Sequence, residues 1–316
     1  MAFLDVQGVS KEFNGNRIVN EVSLNQQQFQ HLAIAGETGS GKTTLLKLIA
    51  GFAQADKGDV YFEGVRIKGP AEKLLPGYPR IAYLSQHFEL RNNYFVKELL
   101  DYSNQLSESA SQELYSVCRI GHLLERRTDQ LSGGERQRIA LAKLLTGAPS
   151  LLLLDEPFSN LDSIHRTLMQ RVIDDVSDRL RISCIMVSHD GDDLLAWADT
   201  IIVMKDGQIV QQGDPGTIYR KPTNEYCGAL FGNYNLLETR GAGDKKRFLR
   251  PEDICVTGRQ NGEMAGIVER IRFHGAYRIA EVKTDGQALQ VWTNDTTIKP
   301  GDFVHLALTP KEAWYV

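Results

Sequence analysis

Eight consecutive residues, Gly36-Glu37-Thr38-Gly39-Ser40-Gly41-Lys42-Thr43, constrain the fold more than any other stretch of the chain. Glycines separated by four residues, then lysine and a hydroxyl residue, allow the backbone to curl with its amide N–H groups aimed at an anion. A helix starting at this point adds the positive end of its dipole. The flanks fit that geometry. His31-Leu32-Ala33-Ile34-Ala35 has the composition of a short buried strand entering the loop, and Thr44 to Ala50, with Leu45, Leu46, Leu48 and Ile49, that of a helix leaving it. Glycine-rich turns also occur without a ligand, but strand, loop and helix in this order predict a cradle for a nucleoside triphosphate. Residues 36 to 44, including Thr44, are then the nucleotide contacts. Lys42 reaches the β- and γ-phosphates, and Thr43 offers its hydroxyl to Mg²⁺.

At 316 residues the chain is long for one hydrophobic core, which predicts two domains. A net charge of −4 gives no general reason to bind nucleic acid, and the cluster Lys245-Lys246-Arg247 is small enough for a solvated turn. Cys118, Cys184, Cys227 and Cys255 are far apart with no Cys-x-x-Cys pair, a pattern that suits reduced thiols in a cytoplasmic protein. The start, Met1-Ala2-Phe3-Leu4-Asp5, lacks the basic and apolar regions of a signal peptide. The apolar runs 151–154 and 201–204 are too short to span a bilayer, so work at a membrane is expected to go through a partner.

Residues 3 to 35 alternate as strands do, with a turn at Asn14-Gly15-Asn16. Gly58 to Gly64 fits a strand pair and Arg80 to Gln86 a buried strand ending in polar residues. From about 88 to 147 the pattern becomes helical, with Leu99, Leu100, Leu106, Leu114 and Val117 as anchors, which predicts a helical insertion. Leu151 to Asp155 is continuously apolar, as a central parallel strand requires. Leu161, Ile164, Leu168, Val172, Val176 and Leu180 mark an amphipathic helix. A strand over 182–187 and a hairpin turning at Asp206-Gly207 follow. This alternation predicts an α/β domain over 1–232 with a mostly parallel sheet. Beyond it, candidate strands at 248–250, 266–273, 276–284, 288–293 and 303–308 predict a small all-β barrel over 233–316.

Two further stretches carry chemistry. Asp155 and Glu156 end the apolar strand, where an aspartate can hold Mg²⁺ and a glutamate can take a proton from attacking water. Acidic residues also end strands with no such role, and it is the upstream phosphate loop that favours catalysis. Leu131-Ser132-Gly133-Gly134-Glu135-Arg136-Gln137 is a second glycine-rich turn feeding a helix. It is either a plain helix N-cap at Ser132 or a second cradle that covers the nucleotide of another copy.

With these residues in place the chain resembles the ATP-binding subunits of ABC transporters over residues 1 to 230. The phosphate loop, the signature peptide Leu131–Gln137, the carboxylate strand Leu154-Asp155-Glu156-Pro157, the interface loop Ser159-Asn160-Leu161-Asp162 and Val187-Ser188-His189-Asp190 follow in the family's order. The resemblance implies a P-loop NTPase that hydrolyses ATP with Mg²⁺, in a head-to-tail homodimer sandwiching two ATP molecules. Lys42, Thr43, Asp155 and Glu156 of one copy face Ser132, Gly133 and Gly134 of the other. It makes Glu156 the general base and His189 the switch histidine that orients the water. It gives Gln86 a Mg²⁺ or water contact and a link to the membrane partner, and has Phe13 stack on adenine. Phe13 also fits a core position.

The C-terminal segment Phe248-Leu249-Arg250-Pro251-Glu252-Asp253-Ile254, with Gly266-Ile267-Val268-Glu269 and Lys299-Pro300-Gly301-Asp302, resembles the OB-like regulatory barrel of bacterial importer ATPases for polyamines, ferric iron or sugars. This implies solute import through a separate integral-membrane permease, with a solute-binding protein in the full system and no nucleic acid. The subunit then sits in the cytoplasm, peripheral on the inner face of the membrane. One departure follows Gln86: His87 to Phe95 lacks the Leu-Phe-Pro-like segment of these importers, which leaves permease class and cargo open. Phe88, Leu90, Tyr94 and Phe95 are then groove residues for the permease or ordinary core. The alternatives are an exporter-type ATPase, a soluble non-transport ABC ATPase, and an anion sensor whose barrel is the functional part.

Overall fold

The computed structural model describes residues 2–86, 90–159, 161–238, 245–257, 262, 264–309 and 312–316. Phe88 and Asn160 lie outside them. The described chain forms two compact units, Met1–Pro215 and Gly216–Val316.

The first unit opens with the strands β1 (Leu4–Phe13) and β2 (Asn16–Gln26), paired antiparallel about the expected turn. β3 (His31–Ala35) leads through the glycine-rich loop into helix α1 (Lys42–Ile49). β4 (Lys57–Phe62) and β5 (Val65–Arg66) complete a four-stranded antiparallel sheet in the order β2-β1-β4-β5. Next come β6 (Ile81–Leu84) and the helices α2 (Val96–Asp101), α3 (Glu108–Val117) and α4 (Gly133–Leu145), which form the expected helical insertion. β7 (Leu151–Asp155), α5 (Ser163–Leu180), β8 (Ser183–Val187), α6 (Gly191–Trp197), β9 (Thr200–Lys205) and β10 (Gln208–Gly213) follow.

The second sheet has the order β10-β9-β3-β8-β7-β6, with β10 antiparallel at its edge and the other neighbours parallel. All five residues of β7 and of β8 are buried, which is why these strands are apolar runs rather than alternating ones. The core between the two sheets includes Leu4, Phe62, Leu32, Ile34, Leu45, Leu46, Leu153 and Val187.

In α5 the buried stripe runs through Met169, Val172, Ile173 and Val176. Ile164, expected on that face, sits in the first turn beyond the N-cap Asp162 and is 78% exposed. The three-and-four spacing is thus carried by residues further along the helix.

The second unit begins with α7 (Pro215–Arg220) and α8 (Glu225–Ala229), whose residues were expected in the first domain. The reason is Arg250, fully buried among them. Its guanidinium donates to the carbonyls of Tyr219 (3.1 and 3.0 Å), Gly232 (3.0 Å) and Asn233 (3.1 Å) and lies over the Tyr219 ring. Burial lowers its pKa from the ordinary value. The strands are β11 (Asn235–Glu238), β12 (Lys246–Leu249), β13 (Ile254–Thr257), β14 (Met264–Phe273), β15 (Arg278–Lys283), β16 (Ala288–Thr293), β17 (Phe303–Leu308) and β18 (Trp314–Tyr315). They form sheets in the orders β11-β12-β18 and β13-β17-β14-β15-β16. Lys246 and Arg247, expected in a turn, lie on β12. The Asn235 side chain joins the two sheets, because its amide exchanges two hydrogen bonds with the backbone of Gln290 (2.8 and 2.7 Å) as a strand residue would.

Candidate active site

Every residue proposed for chemistry on the parallel sheet sits at the carboxyl ends of its strands, where α/β folds leave a crevice. The phosphate loop follows β3, Gln86 follows β6, Asp155 and Glu156 end β7, and His189 follows β8. The loop needs its glycines at two points. Gly36 (φ 154°) and Gly41 (φ 98°) adopt backbone angles that L residues rarely take, and a Cβ would collide with the Met204 carbonyl and the Ile18 carbonyl respectively. Gly41→Ala is therefore expected to lower stability by about 1–3 kcal/mol, read as a lower urea midpoint with unchanged slope.

Lys42 is 6% exposed, and its Nζ donates to the carbonyls of Gly36 (2.7 Å) and Glu37 (2.8 Å) and to Ser40 Oγ (3.4 Å). Its pKa falls because burial penalises the ammonium, against the opposing pull of Glu156, Asp155 and Glu37. The loop thus closes around its own lysine, and an arriving phosphate would replace carbonyl partners with stronger anionic ones. Glu37, Thr38 and Gly39 are exposed at the loop tip and Thr44 is half-buried behind it.

Thr43 Oγ1 donates to Asp155 Oδ1 (3.0 Å), and the phenol of Tyr83 donates to Asp155 Oδ2 (2.8 Å). Asp155 is 3% exposed. Two oxygens from Thr43 and Asp155 suit Mg²⁺, a hard cation that takes its remaining ligands from substrate phosphates and water. Glu156 has a left-handed φ of 51° and its N–H donates to the Val187 carbonyl (2.9 Å). Its carboxylate Oε2 lies 2.7 Å from His189 Nδ1. Both face a cavity of about 370 Å³ that Gln86, Ser159, Arg166 and Asp193 also line. Arg166 on α5 pairs with Asp190 and Asp193, so the turn carrying His189 is pinned to α5. Asp190 is also the N-cap of α6. Sequence reasoning missed Tyr83, Arg166 and Asp193. Only Asp190, next to His189, carried a local signal.

The structure does not join the second glycine-rich turn to the first. Ser132 caps α4 by accepting from Glu135 N–H (3.3 Å), while the Glu135 carboxylate accepts from Ser132 N–H (2.8 Å). A Cβ on Gly134 would meet His165 of α5, whereas Gly133 has open space. Among the described residues no hydrogen bond links Ser132, Gly133 or Gly134 to residues 36–43. Phe13, at the end of β1, is 66% exposed and so is not a core residue. Leu90 is core at 5% exposure, whereas Tyr94 and Phe95 are exposed at 45% and 44%.

Comparison with known proteins bears on the family of the chain. The ABC transporter family matches residues 19–159 and the TOBE domain matches residues 248–316. The sulfate/thiosulfate import ATP-binding protein CysA of Pseudomonas syringae pv. tomato is 32% identical over 90% of this chain and 89% of its own length. The spermidine/putrescine import ATP-binding protein PotA of Clostridium novyi is 31% identical over 98% of this chain and 96% of its own. In fold, the chain is similar to cbiO1 of Clostridium perfringens, part of the ABC transporter complex cbiONQ, with a TM-score of 0.60 and 24% identity over 69% of this chain and 90% of that one. The chain belongs to the ABC transporter family. Within it, the chain is an ATP-hydrolysing subunit of the import branch, with a C-terminal all-β domain of the TOBE kind. No helix among the described residues is long and apolar enough to cross a membrane.

Proposed function

We propose that two copies of this chain close head to tail around two ATP molecules and drive solute import through a separate integral-membrane permease, on whose cytoplasmic face they sit. Lys42 and the loop amides hold the phosphates, with Phe13 against the adenine. Thr43, Asp155 and Gln86 hold Mg²⁺ directly or through water. Glu156 is the general base, and His189, oriented by its contact with Glu156, faces the γ-phosphate. The chemistry supplied by Mg²⁺ is neutralisation of charge on the phosphates. The observation that carries the reading is that Gly41–Thr43 and Ser132–Gly134 are two glycine-rich helix starts, the second closed by its own cap, with no hydrogen bond among the described residues joining them. The nucleotide work falls to the first unit, Met1–Pro215, and the second unit pairs with its twin. The curated relatives name an inorganic anion and polyamines as their cargoes, opposite in charge. Cargo choice accordingly belongs to the permease and its solute-binding protein, and no nucleic acid is involved.

The test separates the two cradles. At low protein concentration, Lys42→Ala is expected to weaken ATP binding by about 10–100-fold. Gly133→Asp, at a position with open space for a side chain, is expected to leave that binding unchanged but to abolish the ATP-dependent association seen by light scattering in the Glu156→Gln background. Equal loss of monomer affinity in both variants would place the two turns around one nucleotide and overturn the dimer.

A further inference from the structure

Asp155 has two carboxylate oxygens, and a metal ligand in a Mg²⁺ site needs only one of them. The structure shows what occupies the other. Tyr83 on β6 pairs in register with Leu153 on β7, so its side chain emerges on the face of the sheet that also carries residue 155. Its ring packs at the edge of the core and tilts against Phe52 just beyond α1, with centroids 5.8 Å apart. From there the hydroxyl reaches Asp155 Oδ2 at 2.8 Å. Thr43 Oγ1 meets the opposite oxygen, Oδ1, at 3.0 Å. The carboxylate is therefore held at both ends by groups on two different elements.

We infer that Tyr83 is a positioning and specificity-determining residue: by occupying Asp155 Oδ2 it presents a single carboxylate oxygen, beside Thr43, to the divalent cation of the bound nucleotide. This rests on the reading of Asp155 as a metal ligand. One oxygen per carboxylate is what octahedral Mg²⁺ accepts, with short and strict geometry. Ca²⁺, larger and tolerant of six to eight ligands, gains from carboxylates that offer both oxygens. Tyr83 thus sets the site for the smaller ion. The sheet supplies the stiffness, since Tyr83 and Asp155 stand on neighbouring parallel strands whose ladder runs from Ile81 to Leu84.

The experiment is calorimetry on the full chain with a non-hydrolysable ATP analogue, in EDTA, in Mg²⁺ and in Ca²⁺. It compares wild type, Tyr83→Phe and Asp155→Asn. Phenylalanine keeps the ring against Phe52 and removes only the hydroxyl. In Tyr83→Phe the affinity in EDTA is expected to stay at the wild-type value, and the ratio of Mg²⁺ enhancement to Ca²⁺ enhancement to fall about tenfold, the scale of one lost hydrogen bond to a charged group. A residue that only packs would alter thermal stability without moving that ratio. A wild-type ratio in Tyr83→Phe, with metal enhancement lost in Asp155→Asn, overturns the role of Tyr83 alone. Full metal enhancement in Asp155→Asn, or none in the wild type, overturns the metal reading of Asp155 as well.

Discussion

Replacing Glu156 by glutamine is expected to cut ATP turnover by about 10²–10⁴-fold while ATP still binds. Glutamine keeps the length and the backbone of the residue, so the left-handed turn at φ 51° and the bond from its N–H to the Val187 carbonyl are undisturbed. An amide can still meet His189 Nδ1, now 2.7 Å from the carboxylate, so the geometry of the turn survives. What disappears is the charge able to take a proton from water. Lys42 also loses one of the negative neighbours that favour its ammonium, which leaves phosphate binding to the loop amides and the remaining pull of Asp155. Steady-state hydrolysis and equilibrium ATP binding, measured on the same preparation, decide the matter. Turnover at the wild-type rate would remove Glu156 from the chemistry and leave His189 without a partner to orient.

Arg250→Ala is expected to destabilise the second unit by about 3–5 kcal/mol. The substitution strips hydrogen-bond donors from three carbonyls, those of Tyr219, Gly232 and Asn233, and opens a cavity beneath the rings of Tyr219 and Phe248. Water reaching those carbonyls would recover part of the loss, which is why the figure is below the sum for separate groups. Tyr219 also donates to Glu252 (2.7 Å), so the strain spreads to the turn at Pro251–Asp253. Urea unfolding followed by the fluorescence of Trp292 and Trp314, both in this unit, reads the effect as an earlier midpoint. Arg250→Lys, with one ammonium in place of the fork, is expected to fall between. An unmoved midpoint in the alanine variant would mean that the guanidinium does not hold α7 and α8 to the strands.

Much of the site was legible because its signals are local. Glycines at forced backbone angles and an unbroken apolar strand ending in carboxylates are visible within a few residues, and in the structure Thr43 bonds Asp155 beside Lys42 and Glu156; His189, which meets Glu156, owed its reading to family resemblance. Ser132 and Gly134 owed their functional reading to family resemblance, since one chain alone shows only a capped helix. Tyr83, Arg166 and Asp193 were invisible because each acts through a partner tens of residues away, with no spacing to mark it. The same holds for the end of the first unit. Arg250 stood out in the sequence, but the carbonyls it binds in 219–233 did not, so the helices there were assigned to the wrong neighbour. β18 is two residues long and pairs with Arg247 and Phe248, too short for any alternation to show.

The hydrogen bond from Glu156 N–H to the Val187 carbonyl has a consequence for timing. It ties the end of β7 to the end of β8, two residues before His189, so base and histidine are tethered through the main chain as well as through their side chains. Their spacing is inherited from the sheet, which is complete in a single copy. On the proposed reading the proton acceptor is ready before ATP arrives, and the missing part is the facing surface of a second copy. Control of the reaction then falls to assembly: the clock is set by how long two copies stay closed, and a permease that alters that dwell time governs hydrolysis without touching the groups that perform it.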